Sequence, residues 1–424
     1  MNGLLGNAVE HLFRLIGAGR NGEAAIRAMT QTAMEAIGCE VQELVYDPRD
    51  VPLIEEFAIR DAGTGTLQSC LIGRLRGTGG GRSLILFAHP DTEPFDGSMN
   101  WSHDPFTPLE LDGRLYGWGV ADDLAGLSLL TESPKALLAD GFVLAGDLFL
   151  VSAPSKRHRR GIAAALHDGL TADAAVYLHP AESGNGLNEI KAFAPGQLEF
   201  FITVSGRLPE TNEPAHTAFA HTGVNAFEKL ILIAASLKDF DSARGARVRQ
   251  PSIESVIGRS TNLMLSHCEF GARDRLSRMP ASGRLGGVLS LVPGEGLENV
   301  KSEVADWVTA ACASDPWLSI HPPTINWVAG VSAAETPEDA PIYEVVANTL
   351  TSVGARPCVN PLHVSSDIRN PIVQKGISTV GFGPLCGNLT VSGGVNEWVD
   401  IADFTRSVQV TKAVIASWCG SSRA

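Results

Sequence analysis

No apolar run in this sequence approaches the ~20 residues that a bilayer-spanning helix requires. The first residues, Met1-Asn2-Gly3-Leu4-Leu5, bring neither a basic region nor a long apolar stretch with a small-residue cleavage site, so no secretory leader is expected. Cysteine is scarce and scattered. The seven thiols, at 39, 70, 268, 312, 358, 386 and 419, are odd in number and form no CxxC pair, so they suggest neither a disulfide framework nor a thiolate zinc knuckle. A reducing cytoplasm is the expected location. Cations are also in deficit, 33 Lys and Arg against 47 Asp and Glu, and the net charge of −14 argues against non-specific nucleic-acid binding. Neither nucleic acid nor membrane is expected as a partner. The sequence shows no internal repeat and no low-complexity tail.

What is present describes an ordinary globular chain. At 424 residues, 44% hydrophobic and 19% charged, it suits two or three domains with ample core. Apolar residues at three-to-four spacing predict helices over about 6–16 and 22–37. Ser83-Leu84-Ile85-Leu86-Phe87-Ala88 is a short continuous apolar run, preceded by Gly79, Gly80 and Gly81 and ended by His89-Pro90-Asp91. That pattern predicts a strand buried on both faces. Strands over 147–153 and 174–178, with a helix over about 124–139 ahead of them, give α/β wiring and a mixed, mostly parallel sheet flanked by helices. Near Phe193 the pattern changes to strands around 197–204, 262–270 and 284–292 with helices over about 225–237 and 297–311, an α+β unit of about 115 residues. The α/β pattern resumes with a helix at 342–353, a strand at 378–382 and a last helix over about 401–418. The expected division is therefore 1–195 and 315–424 for one domain and 196–314 for an inserted one.

Chemistry concentrates at the ends of the predicted strands. His89 follows a buried strand, where open α/β sheets form their ligand crevice, and Asp91 is placed to hold its second ring nitrogen. Trp101, Asp104-Pro105-Phe106 and Gly117-Trp118-Gly119-Val120-Ala121-Asp122-Asp123 come next. The glycines permit a tight backbone path into adjacent carboxylates, which either bind a hard cation or cap the following helix. The capping role is the stronger expectation for Asp123 and the weaker for Asp122. One basic run, Lys156-Arg157-His158-Arg159-Arg160, stands out in an acidic protein and reads first as a solvated surface loop.

Together these segments resemble the metallopeptidase and deacylase family that includes carboxypeptidase G, acetylornithine deacetylase, succinyl-diaminopimelate desuccinylase and the aminoacylases. The resemblance rests on His89-Pro90-Asp91, Trp101…Asp104-Pro105-Phe106 and Gly117-Trp118-Gly119-Val120-Ala121-Asp122, and extends from about Leu84 to Thr411. It implies a zinc-exopeptidase-like catalytic domain with an inserted lid and dimerisation domain. His89 would be a metal ligand, Asp91 its orienter and Asp122 the carboxylate bridging two metals. His216, ahead of Gly223-Val224-Asn225-Ala226, would stabilise an oxyanion across a dimer, so a homo-oligomer is implied. Ser366-Asp367-Ile368-Arg369 resembles the family segment whose Arg meets a substrate carboxylate. Gly381-Phe382-Gly383-Pro384 and Asn396-Glu397 match its closing segment.

Departures from the family pattern shape the functional expectation. Where the family has Asp-Glu-Glu, supplying general base and metal ligand, this sequence has Pro154-Ser155-Lys156 and the rest of the basic run. The closing Ala-His-Gly-x-Asn-Glu is here Ser392-Gly393-Gly394-Val395-Asn396-Glu397, without the His, and the third ligand position is His179-Pro180. His89, Asp122 and His179 remain, enough for one labile divalent ion, Mn, Zn, Co or Fe. The basic run, if it faces the site, would offer Arg157, His158 and Arg160 to anionic substrate groups. Within the family the sequence resembles the metal-dependent aromatic aminohydrolases typified by 5-nitroanthranilate aminohydrolase. That resemblance implies attack of hydroxide generated at the metal on a nitro-activated ring, turning 5-nitroanthranilate into 5-nitrosalicylate and ammonia. The alternatives are a conventional amidase or deacylase of N-acyl amino acids, with further ligands from Glu182, Asp123 or His363, or a non-catalytic binder of small molecules on the same scaffold.

Overall fold

The computed structural model describes residues 2–58, 66–95, 97, 100–181, 183–212, 216–360 and 366–423, with the side chains of residues 2–6 left aside. Contacts divide it into two compact units, one of Met1–Ile54, Asp61–Ala194 and Glu335–Ala424, the other of Glu55–Arg60 and Pro195–Ala334.

The first unit is built on a six-stranded sheet. Its strands are β1 (Glu40–Tyr46), β2 (Gln68–Leu75), β3 (Leu84–Ala88), β4 (Leu148–Ser152), β5 (Ala174–Leu178) and β6 (Thr379–Phe382), in the order β1-β2-β4-β3-β5-β6. The pairs β4–β3, β3–β5 and β5–β6 are parallel, whereas β1–β2 and β2–β4 are antiparallel. Alternation of side chains sends Leu84, Leu86 and Ala88 into one core with helices Asn2–Gly19, Ala125–Ala139, Pro341–Ser352 and Ile401–Cys419. Ile85 and Phe87 enter a second core with helices Gly161–His167 and Arg369–Lys375. Strands covered on both faces must be apolar throughout, which is why β3 and β5 read as continuous hydrophobic runs. The edge strand β1 escapes that pattern: its residues are exposed or half-buried, and Glu40 and Glu43 interrupt it. All seven cysteines are free thiols. Among the described residues no helix is long and apolar enough to cross a membrane.

The second unit has a five-stranded antiparallel sheet in the order Leu263–Phe270, Ser282–Leu291, Gly196–Ser205, Thr324–Val331, Glu56–Ala58. The central strand buries Leu198, Phe200, Ile202 and Val204 and leaves the residues between them half-buried. Helices Ala226–Arg247 and Leu297–Cys312 supply Leu230, Ile233, Leu237, Val300, Val304 and Val308 to the same cores. The first is capped by Asn225, whose side chain accepts the Phe227 N–H at 3.0 Å. The division expected at 196–314 is corrected here. Thr324–Val331 pairs with Gly196–Ser205 and draws residues up to 334 into this unit, and Glu56–Ala58 joins it from far upstream.

Candidate metal centre

Parallel strands bring their carboxyl ends to one edge of the sheet, and the side chains singled out by the sequence follow those ends directly. His89 leaves β3, Pro154-Ser155-Lys156 follows β4, and His179 leaves β5. Asp122 arrives from the irregular turn ahead of helix Ala125–Ala139. Glycine makes that approach feasible. Gly119 has φ of 70°, and a Cβ there would lie 2.1 Å from Thr92 Cγ2. At Gly126 a Cβ would fall 1.8 Å from the Leu178 carbonyl oxygen and 2.3 Å from Asp123 Oδ1, so the helix meets the end of β5 backbone to backbone.

Three buried groups converge. His89, Asp122 and His179 each offer one ligand atom, all within 4.8 Å of one another. Nε2 of His89 is 3.0 Å and Nε2 of His179 3.5 Å from Asp122 Oδ1. The far side of each ring is tied to oxygen: His89 Nδ1 lies 2.9 Å from the Asp91 carbonyl and 3.2 Å from its carboxylate, and His179 Nδ1 lies 3.0 Å from the Pro180 carbonyl. These oxygens favour a proton on Nδ1 and an Nε2 lone pair toward Asp122, while at His179 the Lys191 ammonium, 3.2 Å from Nδ1, competes for the same atom. Two such lone pairs facing a carboxylate oxygen repel unless a proton or a cation lies among them. The donor set of two imidazoles and a carboxylate suits a divalent transition metal with coordination positions left open. Without a metal, burial opposes charge on His89, but hydrogen bonds to Asp122 and Asp91 outweigh it and hold the imidazole well above its ordinary pKa. Burial likewise works against the Asp122 carboxylate, while His179, His89 and Lys156 together keep it well below the usual range.

Part of the basic run turns inward. The Lys156 ammonium is paired with Asp122 Oδ2, and Arg157 binds Glu93 at 2.6 Å. Arg159 pairs with Glu23 and lies 3.6 Å from Asp91 Oδ2. Asp91 also accepts the backbone N–H groups of Ser155 at 2.9 Å and Lys156 at 2.8 Å, so it fixes this loop as well as His89. The solvated-loop expectation is thus corrected for Lys156, whose side chain is only 11% exposed. Arg160 donates to the Pro48 carbonyl at 2.7 Å. Arg157, His158 and Arg160 all have positive φ, between 54° and 60°, a conformation that aims successive side chains differently and that a charge pattern does not reveal.

Asp123 does not cap the helix, contrary to expectation. It is fully buried, its Oδ2 accepts the His89 backbone N–H at 3.1 Å, and its Oδ1 has no hydrogen-bond partner. Burial raises its pKa well above the ordinary value. Glu397, known from the sequence only as part of a matching segment, is completely buried behind Asp122 and accepts from Ala121 N at 2.7 Å and Thr390 Oγ1 at 2.8 Å. Burial, then the Asp122 charge, push it up to about 7. Lys191, also missed, is fully buried and donates to the Pro180 carbonyl at 2.7 Å, with Nζ 3.2 Å from His179 Nδ1. Its signal in the sequence was a lone lysine among apolar neighbours, Ile190 and Ala192. Arg369 opens helix Arg369–Lys375 in the same unit. His216 is exposed in the second unit, where its Nδ1 accepts the Ala218 N–H at 3.1 Å. Glu182 and His363 lie outside the described residues.

Fold and site together define a metal-dependent hydrolase. The chain belongs to Peptidase family M20/M25/M40, whose model matches residues 85–417. Its relatives include the N-formyl-4-amino-5-aminomethyl-2-methylpyrimidine deformylase of Bacillus subtilis (strain 168), 24% identical over 82% of this chain and 83% of that protein. Another is the acetylornithine deacetylase of Salmonella arizonae, 25% identical over 83% of each. Among solved structures the fold is similar to that of aminopeptidase PepT from Bacillus cereus ATCC 10987, with a TM-score of 0.70 at 17% identity, covering 97% of this chain and 98% of that one. It is also similar to Bacillus subtilis YXEP, a dinuclear metal-binding M20 peptidase, with a TM-score of 0.60 at 11% identity over 99% of both chains.

Proposed function

We propose that this protein is a one-metal hydrolase that replaces the amine of an electron-poor aromatic ring by hydroxyl, with 5-nitroanthranilate plus water giving 5-nitrosalicylate plus ammonia. One observation carries the reading: Lys156, not a carboxylate, faces Asp122 after β4. The nearby described carboxylates all have other work. Asp91 holds His89 and the loop, Glu93 binds Arg157, Glu397 accepts from Ala121 and Thr390, Asp123 accepts from His89, and the buried Asp367 accepts from Ser155 and from Asn370 at 3.0 Å. A site without a free carboxylate base is poorly suited to an unactivated amide and better suited to a carbon already made electrophilic by its substituents.

His89, Asp122 and His179 would hold the metal. When bound, a divalent ion supplies Lewis acidity and lowers the pKa of water to near neutrality. The chain's own groups then orient and balance charge. His89 keeps Nε2 free by donating from Nδ1 to Asp91, the Pro180 carbonyl favours the same arrangement at His179, and Asp91 fixes the loop bearing Lys156. Arg369 is the proposed partner of the substrate carboxylate, and Arg157 and His158 of its nitro oxygens, onto which negative charge spreads. Arg157, engaged with Glu93, and Arg160, engaged with Pro48, must exchange those partners for the substrate. His216 is proposed to act across a homodimer.

A second reading, hydrolysis of an N-acyl group, is favoured by the deformylase and deacetylase relatives. Incubation of the manganese-loaded protein with 5-nitroanthranilate and, separately, with N-acetylornithine and the N-formyl aminopyrimidine separates the two. Ammonia and 5-nitrosalicylate are the expected products. Acyl release without ammonia from the aromatic amine would overturn the first reading in favour of the second.

A further inference from the structure

The two oxygens of Asp122 face different cations. Oδ1 looks toward the two imidazoles, and Oδ2 is paired with the Lys156 ammonium. Lys156 is held at both ends: its backbone N–H is tied to Asp91 at 2.8 Å, and its Nζ lies among Asp122 and, at 3.7 Å, Glu93. The run complements the acidic groups charge by charge, Lys156 on Asp122, Arg157 on Glu93 and Arg159 beside Asp91. A metal on His89, Asp122 and His179 would therefore share its carboxylate with a cation that belongs to the chain.

Resting on the one-metal reading above, we propose that the Lys156 ammonium stands in for a second metal ion, occupying Oδ2 of Asp122 and keeping the centre mononuclear. A carboxylate with a cation on each oxygen is how a bridged two-ion site is arranged, and a fold neighbour is a dinuclear metal-binding peptidase. Here one of the two positions is filled by a side chain that cannot be lost to a chelator. Lys156 has two consequences for the remaining ion. Its charge opposes binding of a divalent cation on Oδ1, which makes the ion labile. It also draws electron density from Asp122, which leaves the ion a stronger Lewis acid.

The test is manganese uptake by the full chain, read as ions per chain, affinity and electron paramagnetic resonance. Wild type is expected to take up one Mn²⁺ with an uncoupled six-line signal. Lys156→Met should still take one ion but bind it about tenfold or more tightly, because a unit charge has left a poorly screened position. Lys156→Glu, which places a third carboxylate beside Asp122 and Glu93, should take up a second ion and show spin coupling. Two ions in wild type, or Lys156→Met with unchanged affinity, overturns the proposal, and the Met variant decides the matter where the Glu variant does not fold. His179→Ala provides the control on the underlying reading. If Mn²⁺ affinity is unchanged by that substitution, the metal site itself is misplaced. If affinity falls there but Lys156→Met behaves as wild type, only the role of the lysine is wrong.

Discussion

Glu397 offers a quantitative check on the electrostatics behind Asp122. In the metal-free protein its carboxyl, ordinarily at 4.5, is raised to about 7 by burial and then by the charge of Asp122. An acid with a raised pKa keeps its proton longer in the folded state than in the unfolded one. Folding stability therefore falls as pH rises from 4.5 to about 7, by about 1.4 kcal/mol per pH unit, and the loss is complete above that window. The total is roughly 3 kcal/mol. Glu397→Gln removes the titration while preserving shape. Its amide oxygen can still accept the Ala121 N–H, but its NH₂ group then faces the Thr390 N–H, 3.3 Å from the present oxygen, at a cost of about 1 kcal/mol at every pH. The variant should be the less stable protein near pH 5 and the more stable by about 2 kcal/mol near pH 8. Urea unfolding of both proteins in EDTA across this range reads the difference directly, and groups shared by the two proteins cancel. Manganese should shrink the high-pH gap, because a cation on Asp122 offsets the repulsion. Parallel stability curves for wild type and variant would refute the reasoning.

Other consequences of the same geometry are open to measurement. Asp122→Asn and His179→Ala should each weaken Mn²⁺ binding by about 100-fold or more in titration calorimetry, since each removes one of three ligands. Gly126→Ala, which in an ordinary helix is stabilising by about 1 kcal/mol, should here destabilise by at least ~2 kcal/mol because the new Cβ meets the Leu178 carbonyl. An unchanged or raised melting temperature would show that the contact relaxes. Arg244→Met should cost about 3–5 kcal/mol: the buried guanidinium binds Glu295 at 2.6 Å and pairs with Glu303, and both acids lose their partner. Denaturant unfolding with second-unit tryptophan fluorescence checks this.

The parts of the fold legible in the sequence are those with one dominant physical cause. Strands β3 and β5 are apolar on both faces, and helix Ala226–Arg247 follows a capping Asn, so each announces itself locally. Strand β1 does not, because its edge position leaves Glu40 and Glu43 on it, and β2, paired on both sides by β1 and β4, carries Gln68, Ser69 and Arg74 among its apolar residues, so its pairing depends on partners elsewhere in the chain. His89 and Asp122 stood out from their places after a strand and before a helix, and His179 from the family resemblance. Their convergence is a three-dimensional fact. Asp123 was misread because a residue just ahead of a helix occupies the same sequence position whether it caps the helix or accepts a buried N–H from another strand. The basic run failed for a related reason. Charge tells how much solvation a segment wants, but the positive φ values at Arg157, His158 and Arg160, and the pairing of Lys156 and Arg157 with separate carboxylates, are properties of the folded chain.

The short strand Glu56–Ala58 has a consequence for how the second unit comes into being. It pairs with Thr324–Val331, so its partner is made only after most of the chain has followed it. During synthesis this segment waits unpaired while the other four strands emerge, and the five-stranded sheet is finished by a long-range closure. A contiguous fragment of 195–334 would accordingly carry Thr324–Val331 as a raw edge, open to pairing with any strand it meets. The unit is an insertion in outline, yet it is not a cassette that can be cut out whole.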